Sequence, residues 1–303
     1  MFKKIIVTML FLVLSLVLFA CDKISNTETL ITTGLTESSL ETTTTLDACK
    51  ALHVSYVYDE LDYRLVFADE FENPSGIPSI LKWKYQTGDG GWGNDELQYY
   101  TDGLNSTVVD GSLVISARKE SLGDSQYTSS RMNSVKSFLY GKFEIRAMLP
   151  QGSGTWPAIW MMPEKSMYGS WPNSGEIDIM EHIGVDMNKV HFSIHTEKYY
   201  FKINTQKTFV SIIPSVSTEY HIYGIEWLPD KIIFFVDDVI KWIYSPTNYV
   251  DCPSSAEWPF DKPFYLILNL AIGGWGGTPY ASFIEEQMKV DYVRVYQANN
   301  LFP

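Results

Sequence analysis

Short segments with a strand-like pattern of apolar positions follow one another along most of the chain. Several alternate apolar and polar residues, and Phe264–Ile272 is apolar on both faces, which predicts a central, buried strand. Turn-forming pairs such as Asp110-Gly111 and Gly273-Gly274 separate the segments. The predicted strands are Val54–Tyr58, Tyr63–Phe67, Ser112–Ala117, Tyr140–Met148, Thr155–Met162, Val190–Thr196, Tyr220–Trp227, Ile232–Val236, Val239–Tyr244, Phe264–Ile272 and Val290–Tyr296. Because no long segment has a helical period, the pattern predicts an all-β fold, either a sandwich or a jelly roll.

A further strand is predicted at residues 176–181, where acidic and apolar residues alternate. Strict alternation places Glu176 and Asp178 on one face and Glu181 on the opposite face. A β-bulge at Ile179–Met180 would return Glu181 to the face of the other two acids. Three surface acids on an exposed strand, or a calcium site, are the alternative interpretations.

Three acids on one face are suited to cleaving a glycosidic bond. Retaining glycosidases use a nucleophile and a general acid/base whose carboxyl groups lie about 5 Å apart. Asp178 lies between the two glutamates, so it can share a proton with Glu176. Its negative charge would also help to keep Glu181 protonated at neutral pH.

Composition narrows the class of ligand. Nine tryptophans and nineteen tyrosines exceed what a core needs and favour a ligand that is a flat, stackable ring. The formal net charge of −13 argues against nucleic acid or an anionic polysaccharide as the main partner. Solubility of a secreted protein is the plainer explanation of that charge.

Residues 1–20 have the pattern of a secretory signal peptide, with Lys3 and Lys4 followed by a long apolar run. Leu18–Cys21 resembles the bacterial lipoprotein processing box, in which the cysteine is lipidated. We therefore expect Cys21 to anchor the protein on the extracellular side of the bacterial membrane, with plain secretion as the alternative.

Residues 21–50 are rich in Thr and Ser and contain no aromatic residue, which predicts a disordered tether. The folded domain is then expected over residues 51–299. Cys49 and Cys252 are the remaining thiols, and an oxidising compartment would permit a disulfide between them. Two unpaired cysteines are the favoured alternative.

Several stretches together resemble one known family: Phe67–Phe71, Gly91–Thr101, Gly154–Met161, Trp171–Glu181, Trp258–Asp261 and Val290–Tyr296. They resemble glycoside hydrolase family 16, its laminarinase-like members in particular, over roughly residues 65–297. The resemblance implies a β-jelly roll, a concanavalin A-like sandwich of two antiparallel sheets with a concave substrate cleft. It also implies retaining endo-hydrolysis with Glu176 as nucleophile, Glu181 as acid/base and Asp178 as helper. Met180 gives the bulged form of the motif, which looks like the β-1,3-glucanase branch.

Three tryptophans are candidates for sugar binding. Trp156 and Trp160 are four residues apart on a predicted strand and share a face, and Trp171 precedes the acidic strand. Their rings would stack on pyranose rings, with burial in the core as the alternative. Pro157 cannot donate a ladder hydrogen bond, which predicts an edge or irregular position for this part of the strand.

The resemblance also implies polar cleft residues. His195 carries over as a hydrogen-bond donor near the nucleophile, and Asn94 and Arg131 match polar residues of the cleft; for Arg131 a surface ion pair is the alternative. Trp275 is the candidate in a Gly-rich loop, but the family's asparagine before this tryptophan is missing, which leaves room for displacement. Residues 197–202 depart from the family's usual Gly-containing loop.

A structural calcium ion occurs on the convex face of many family members. The matching residues are Glu70, Gly111 and Asp291, whose oxygen atoms suit calcium but are equally at home as ordinary surface groups. No cofactor is expected for catalysis. His191 and His195 share a face, yet they lack the third partner that zinc requires.

The leading hypothesis is a monomeric endo-β-1,3-glucanase that acts on laminarin-like β-glucan, with no nucleic-acid partner. The alternatives are a mixed-linkage β-1,3-1,4-glucanase, a galactanase acting on sulfated polymers, and a catalytically dead β-glucan-binding protein. A sulfated substrate would require arginine and lysine in the cleft, whereas tryptophan, asparagine and histidine flank the acidic motif. Binding-only relatives lose the glutamates, and both are present here.

Overall fold

The apolar pattern forms strands throughout residues 61–301, the part of the chain that the computed structural model describes. The strands are β1 Tyr63–Asp69, β2 Trp83–Tyr85, β3 Gln98–Tyr100, β4 Ser106–Val109, β5 Ser112–Arg118, β6 Tyr127–Ser129, β7 Arg131–Phe138, β8 Gly141–Met148, β9 Thr155–Pro163, β10 Glu176–Glu181, β11 Lys189–His195, β12 Lys207–Ile212, β13 His221–Trp227, β14 Ile232–Val236, β15 Val239–Tyr244, β16 Phe264–Ile272 and β17 Glu285–Ala298. Within the described range the helical elements are short 3-10 turns. The all-β prediction is confirmed.

The strands form two sheets. One has seven strands in the order β12-β11-β10-β9-β16-β7-β2, and the other has ten, with β15-β14-β13-β8-β17-β5-β6-β3 as its main path. Pairings are antiparallel apart from the short β3–β6 pair. The predicted jelly-roll sandwich of two antiparallel sheets is therefore confirmed, and the acidic strand β10 lies in the interior of the seven-stranded sheet.

The core lies between the two sheets because each contributes an apolar face. In β8, for example, Phe143, Ile145 and Ala147 are fully buried while the residues between them are partly exposed. Strand β16 is buried along almost its whole length, as predicted, because one face meets the core and the other lies under the cleft. Trp227 packs edge-on against Phe264 across the core, with ring centroids 5.4 Å apart.

Pro157 does not mark an edge strand, but the other predicted possibility, an irregular position, is found. Strand β9 lies between β10 and β16, and Pro157 pairs with Leu270 of β16. The carbonyl of Pro157 accepts a hydrogen bond from the backbone N–H of His182, just past the point where pairing with β10 ends at Ala158. The missing N–H therefore faces a place where the ladder has already finished.

The predictions for the amino-terminal segment lie outside the described residues. These are the signal peptide at 1–20, the lipidated Cys21, the tether at 21–50, the start of the domain at 51 and the strand Val54–Tyr58. The described residues all belong to one compact unit, Cys49–Pro303. Cys252 is disulfide-bonded, so the favoured alternative of two unpaired cysteines is wrong for this residue. In residues 61–301 no helix has the length and apolarity that a membrane span requires.

Candidate active site

A cleft crosses the outer face of the seven-stranded sheet. It consists of two adjoining cavities of about 790 and 320 Å³, which we call the larger half and the smaller half. Both halves are lined by Glu176, Glu181, Trp156 and Asn94, so the two glutamates lie at the junction between them. A chain-like ligand could therefore extend to either side of the two carboxylates.

Strand β10 places the three acids through a β-bulge. Asp178 pairs with Trp160 of β9, and the next paired residue is Met180, opposite Ile159. Ile179 is thus the extra residue, and both it and Met180 are fully buried in the core. The bulge predicted at Ile179–Met180 is confirmed, and it brings Glu181 back to the cleft.

Glu176 is held by an indole and by its neighbour on the strand. Nε1 of Trp171 donates a hydrogen bond of 2.7 Å to Oε2 of Glu176, and Asp178 shares a hydrogen bond with the same carboxyl group. Burial and the negative charge of Asp178 raise the pKa of Glu176 to about 8, while His195 and the indole donor oppose that rise. The indole and the histidine therefore favour the ionised form that a nucleophile needs.

Asp178 and His195 form the buried layer beneath Glu176. The side chain of Asp178 is 4% exposed, and its Oδ2 lies 3.3 Å from Nε2 of His195. The same nitrogen lies 3.9 Å from Oε1 of Glu176. Burial raises the pKa of Asp178 to about 8, so a proton is readily retained between the two carboxyl groups.

Glu181 lies next to a different tryptophan. Nε1 of Trp156 donates a hydrogen bond of 3.0 Å to Oε1 of Glu181. Burial, followed by the charge of Asp178, raises the pKa of Glu181 well above its ordinary value. A carboxyl group in this environment keeps its proton at neutral pH and can deliver it to a leaving oxygen.

Glu176, Asp178 and His195 also satisfy the distance criterion for a metal site. One ligand atom of each lies within 4.8 Å of the others, and in residues 61–301 no other set of three such side chains does so. His191, which shares a strand face with His195, is not part of this set. It packs edge-on against the ring of Trp275 instead, with centroids 4.7 Å apart.

Arg131 occupies the smaller half of the cleft between two tryptophans. Its guanidinium carbon lies 4.8 Å from the ring centroid of Trp92 and 4.6 Å from that of Trp160. Trp160 also donates a hydrogen bond of 2.7 Å to Oδ1 of Asn269. In the described residues Arg131 has no carboxylate partner, which rules out the surface ion pair as the reason for its position.

Trp275 lies in the larger half of the cleft even though the loop lacks the family's asparagine. Its ring packs edge-on against that of Trp156, with centroids 5.7 Å apart, and 43% of the residue is exposed. The loop lies close to the backbone at Asn94: a Cβ on Gly274, whose φ is 50°, would lie 2.4 Å from the Asn94 carbonyl oxygen. The glycine permits this close approach.

The segment after His195 reaches the cleft. Phe201 lines both halves and packs against the ring of Trp171 at 5.6 Å and edge-on against His195 at 6.0 Å. Lys202 lines the smaller half, with its Nζ 5.4 Å from the ring centroid of Trp171. The segment that departs from the family's usual loop therefore forms part of the wall beside Glu176.

Two of the three residues predicted to bind calcium, Glu70 and Asp291, have other partners in this structure. Both carboxylate oxygens of Glu70 accept hydrogen bonds from Arg294, at 2.9 and 2.8 Å, and Asp291 accepts one of 2.5 Å from Arg146. A calcium ion at Glu70, Gly111 and Asp291 would have to replace both arginines. As arranged, these side chains do not fit a calcium site, and calcium stays a prediction.

All the sequence-predicted catalytic and sugar-binding residues lie along this cleft. Sequence reasoning assigned no role to several further lining residues, among them Trp92, Glu96, Phe201, Lys202 and Asn269. Asn269 carried a signal, because it is the single amide in the apolar run of β16. Phe201 and Lys202 carried a weaker one, since they lie in the segment that departs from the family.

Comparison with known proteins agrees with this geometry. The family model described as glycosyl hydrolases family 16 matches residues 91–294. A β-glucanase of Rhodothermus marinus is 46% identical over 247 residues, which cover 78% of this chain and 85% of that protein. A glucan endo-1,3-β-glucosidase of Cryptopygus antarcticus is 37% identical over 268 residues, 83% of this chain and 96% of that protein. The X-ray structure of the laminarinase from Rhodothermus marinus superimposes with a TM-score of 0.76 at 44% identity, covering 79% of this chain and 99% of that one.

Proposed function

Since the chain belongs to glycosyl hydrolase family 16, and is therefore a glycoside hydrolase, we propose that it is a retaining endo-β-1,3-glucanase acting on laminarin-like glucan. The observation that supports this most directly is the bulged strand β10, which places Glu176 and Glu181 at the junction of the two halves of the cleft, with Asp178 beneath Glu176. Relatives named as β-1,3-glucanases and laminarinases support the choice of substrate.

In the first step of the proposed mechanism, Glu176 attacks the anomeric carbon and forms a covalent glycosyl ester. The glycosidic bond breaks at the same time, and Glu181 gives its proton to the departing oxygen. The raised pKa of Glu181 supplies the protonated carboxyl group that this step needs. The hydrogen bond from Trp171 stabilises the negative charge on Glu176 before attack.

In the second step, a water molecule attacks the anomeric carbon from the face opposite Glu176, the ester bond breaks and Glu176 leaves as a carboxylate, so the configuration of the sugar is retained overall. Glu181, now ionised, removes a proton from that water and is returned to its starting state. Asp178 holds a proton against Glu176 and, when charged, raises the pKa of Glu181. The proposed role of Asp178 is to limit the total negative charge of the three acids, so that Glu176 can be ionised while Glu181 keeps its proton.

Incubation of the protein with laminarin, lichenan, carrageenan and agarose, followed by sizing of the products, tests the function. We expect rapid shortening of laminarin to oligosaccharides, because the cleft extends on both sides of the acids. Preferential cleavage of lichenan would favour the mixed-linkage alternative. Failure to cleave any β-glucan would contradict the proposal and leave the glucan-binding alternative.

The two indole donors provide a test of the acid and base assignments. Phenylalanine at Trp171 or Trp156 keeps an aromatic ring but removes the N–H, so the pKa of Glu176 rises in the first variant and that of Glu181 in the second. In Trp171→Phe the acidic limb of the kcat/KM profile should therefore move to higher pH, with kcat/KM about tenfold lower on that limb. In Trp156→Phe the alkaline limb should move to higher pH.

Trp160→Phe is the matched control for these pH profiles. Its indole donates to Asn269 rather than to an acid, so neither limb should move. Profiles of the four proteins on laminarin, measured at low substrate, give the comparison. If Trp171→Phe and Trp156→Phe shift the same limb, the two glutamates do not have distinct roles as assigned.

We also propose that Cys21 is lipidated and holds the enzyme on the extracellular side of the bacterial membrane, where polymeric glucan is accessible. The argument is the basic and apolar pattern of residues 1–20 and the lipoprotein-like Leu18–Cys21. Labelling with a radioactive fatty acid should mark the wild type and fail to mark Cys21→Ala. Equal labelling of both proteins would contradict the anchor.

A further inference from the structure

The smaller half of the cleft contains two cationic side chains, Arg131 and Lys202. The guanidinium group of Arg131 is fixed between the ring faces of Trp92 and Trp160. The ammonium group of Lys202 lies over the ring of Trp171, 5.4 Å from its centroid. Two positive charges thus lie along a cavity of about 320 Å³ next to Glu176.

Neither charge has a carboxylate partner within residues 61–301. Nε of Arg131 is buried and lacks a hydrogen-bond acceptor. Four acids line the same cavity, and each has a partner other than the two cations. Trp171 donates to Glu176 and Trp156 to Glu181, while Asp178 lies 3.3 Å from Nε2 of His195. Oε2 of Glu96 accepts hydrogen bonds of 2.7 and 2.9 Å from two neighbouring side chains. Neither cation is therefore committed to an ion pair.

The position of Lys202 is set by its own segment. Lys202 lies in the 3-10 turn Phe201–Ile203, and Phe201 packs against Trp171 and His195 at the wall of the cleft. This is the segment whose sequence departs from the family's usual loop. The chain carries a net charge of −13, so two cations outside any ion pair in one cavity are a local feature rather than a reflection of its composition.

We propose that the smaller half of the cleft binds an anionic substituent, a carboxylate or a sulfate ester, on the β-glucan chain. A neutral glucan presents only hydroxyl and ring oxygens, which do not neutralise a guanidinium and an ammonium group. The planar fork of Arg131 matches the oxygens of a carboxylate or sulfate, and Lys202, beside Trp171, adds a second charge to the same cavity. This proposal rests on the proposed function, because it assumes that the cleft binds β-glucan.

Lys202→Gln tests the proposal, with Lys119→Gln as the matched control. Lys119 follows β5 in the other sheet, is exposed and does not line the cleft. Lys119→Gln therefore removes the same charge at a place away from the cleft. Laminarin, carboxymethylated laminarin and sulfated laminarin of equal chain length are compared by kcat/KM. For at least one of the two anionic polymers, we expect Lys202→Gln to lower kcat/KM about fivefold relative to kcat/KM on laminarin. The effect should shrink at high salt. The carboxymethylated and sulfated arms identify which anion is preferred.

Affinity electrophoresis of the three proteins in gels that contain each polymer measures binding without turnover. We expect Lys202→Gln to weaken retardation by the anionic polymers relative to laminarin, and Lys119→Gln to leave that relation unchanged. The proposal would be overturned if the wild type and Lys202→Gln had the same ratio of anionic polymer to laminarin, for both anions, in kcat/KM and in gel retardation. Absence of laminarin cleavage by the wild type would instead overturn the glucanase function, whatever the gels show about the anion.

Discussion

Glu176→Ala is expected to lower kcat on laminarin by about 10⁵-fold while binding of laminarin oligosaccharides stays within about threefold of the wild type. The variant has no carboxylate to form the glycosyl ester, yet it keeps the tryptophans and Arg131 that line the cleft. Single-turnover rates and calorimetric titration with oligosaccharide separate the two effects. Glu164→Ala, an exposed acid outside the cleft, is the control and should behave as the wild type.

A purely structural role for Glu176 would give a different result. Alanine leaves a space beside the anomeric carbon that a small anion such as azide can fill, and azide can attack the carbon in place of the carboxylate. The new bond joins carbon and nitrogen, Glu181 still protonates the leaving oxygen, and the product has the opposite anomeric configuration. Recovery of activity by azide would support a nucleophile, whereas near-normal hydrolysis by Glu176→Ala would show that the assignment is wrong.

The strand that carries the acids was predictable because its signal is local. Alternation of apolar and acidic residues fixes the strand, and the extra Met180 requires a bulge if both glutamates are to reach one face. Long apolar segments such as Phe264–Ile272 were equally clear. Strands β2, β3, β4, β6, β7 and β12 were not predicted, because they are short or mix polar and apolar residues on both faces.

Other features depend on contacts between distant segments. Arg131 lies between two tryptophans that are 39 and 29 residues away in sequence, and no local pattern indicates that arrangement. Net charge argued against an anionic ligand, but it averages over the whole surface and does not report two cations placed in one cavity. Pro157 indicated an edge or an irregular position, and only the full sheet shows which: β9 is interior, and its pairing with β10 ends one residue away from the proline.

Glu181→Gln is expected to lower kcat on laminarin by about 10³-fold, the upper part of the range for loss of a general acid. Glutamine has the same shape and can accept the hydrogen bond from Trp156, but it has no proton to give to the leaving oxygen. A dinitrophenyl glycoside has a leaving group that departs without a proton. The rate at which it forms the glycosyl ester on Glu176 should therefore fall by less than about tenfold. The alkaline limb of the kcat/KM profile, which reports loss of the Glu181 proton, should disappear. An unchanged alkaline limb would assign the acid to another residue.

The same substitution should change how stability depends on pH. The pKa of Glu181 is raised in the folded protein, so the folded state binds more protons than the unfolded state once the pH exceeds the ordinary glutamate value of about 4.5. The stability associated with this proton is complete below that value and is lost as the pH rises toward the folded pKa. Glutamine removes the dependence. Thermal unfolding should therefore show similar Tm values for both proteins near about pH 4, and at about pH 8 a Tm for Glu181→Gln that is higher by about 3 °C or more. A constant Tm difference across that range would mean that burial of Glu181 does not raise its pKa.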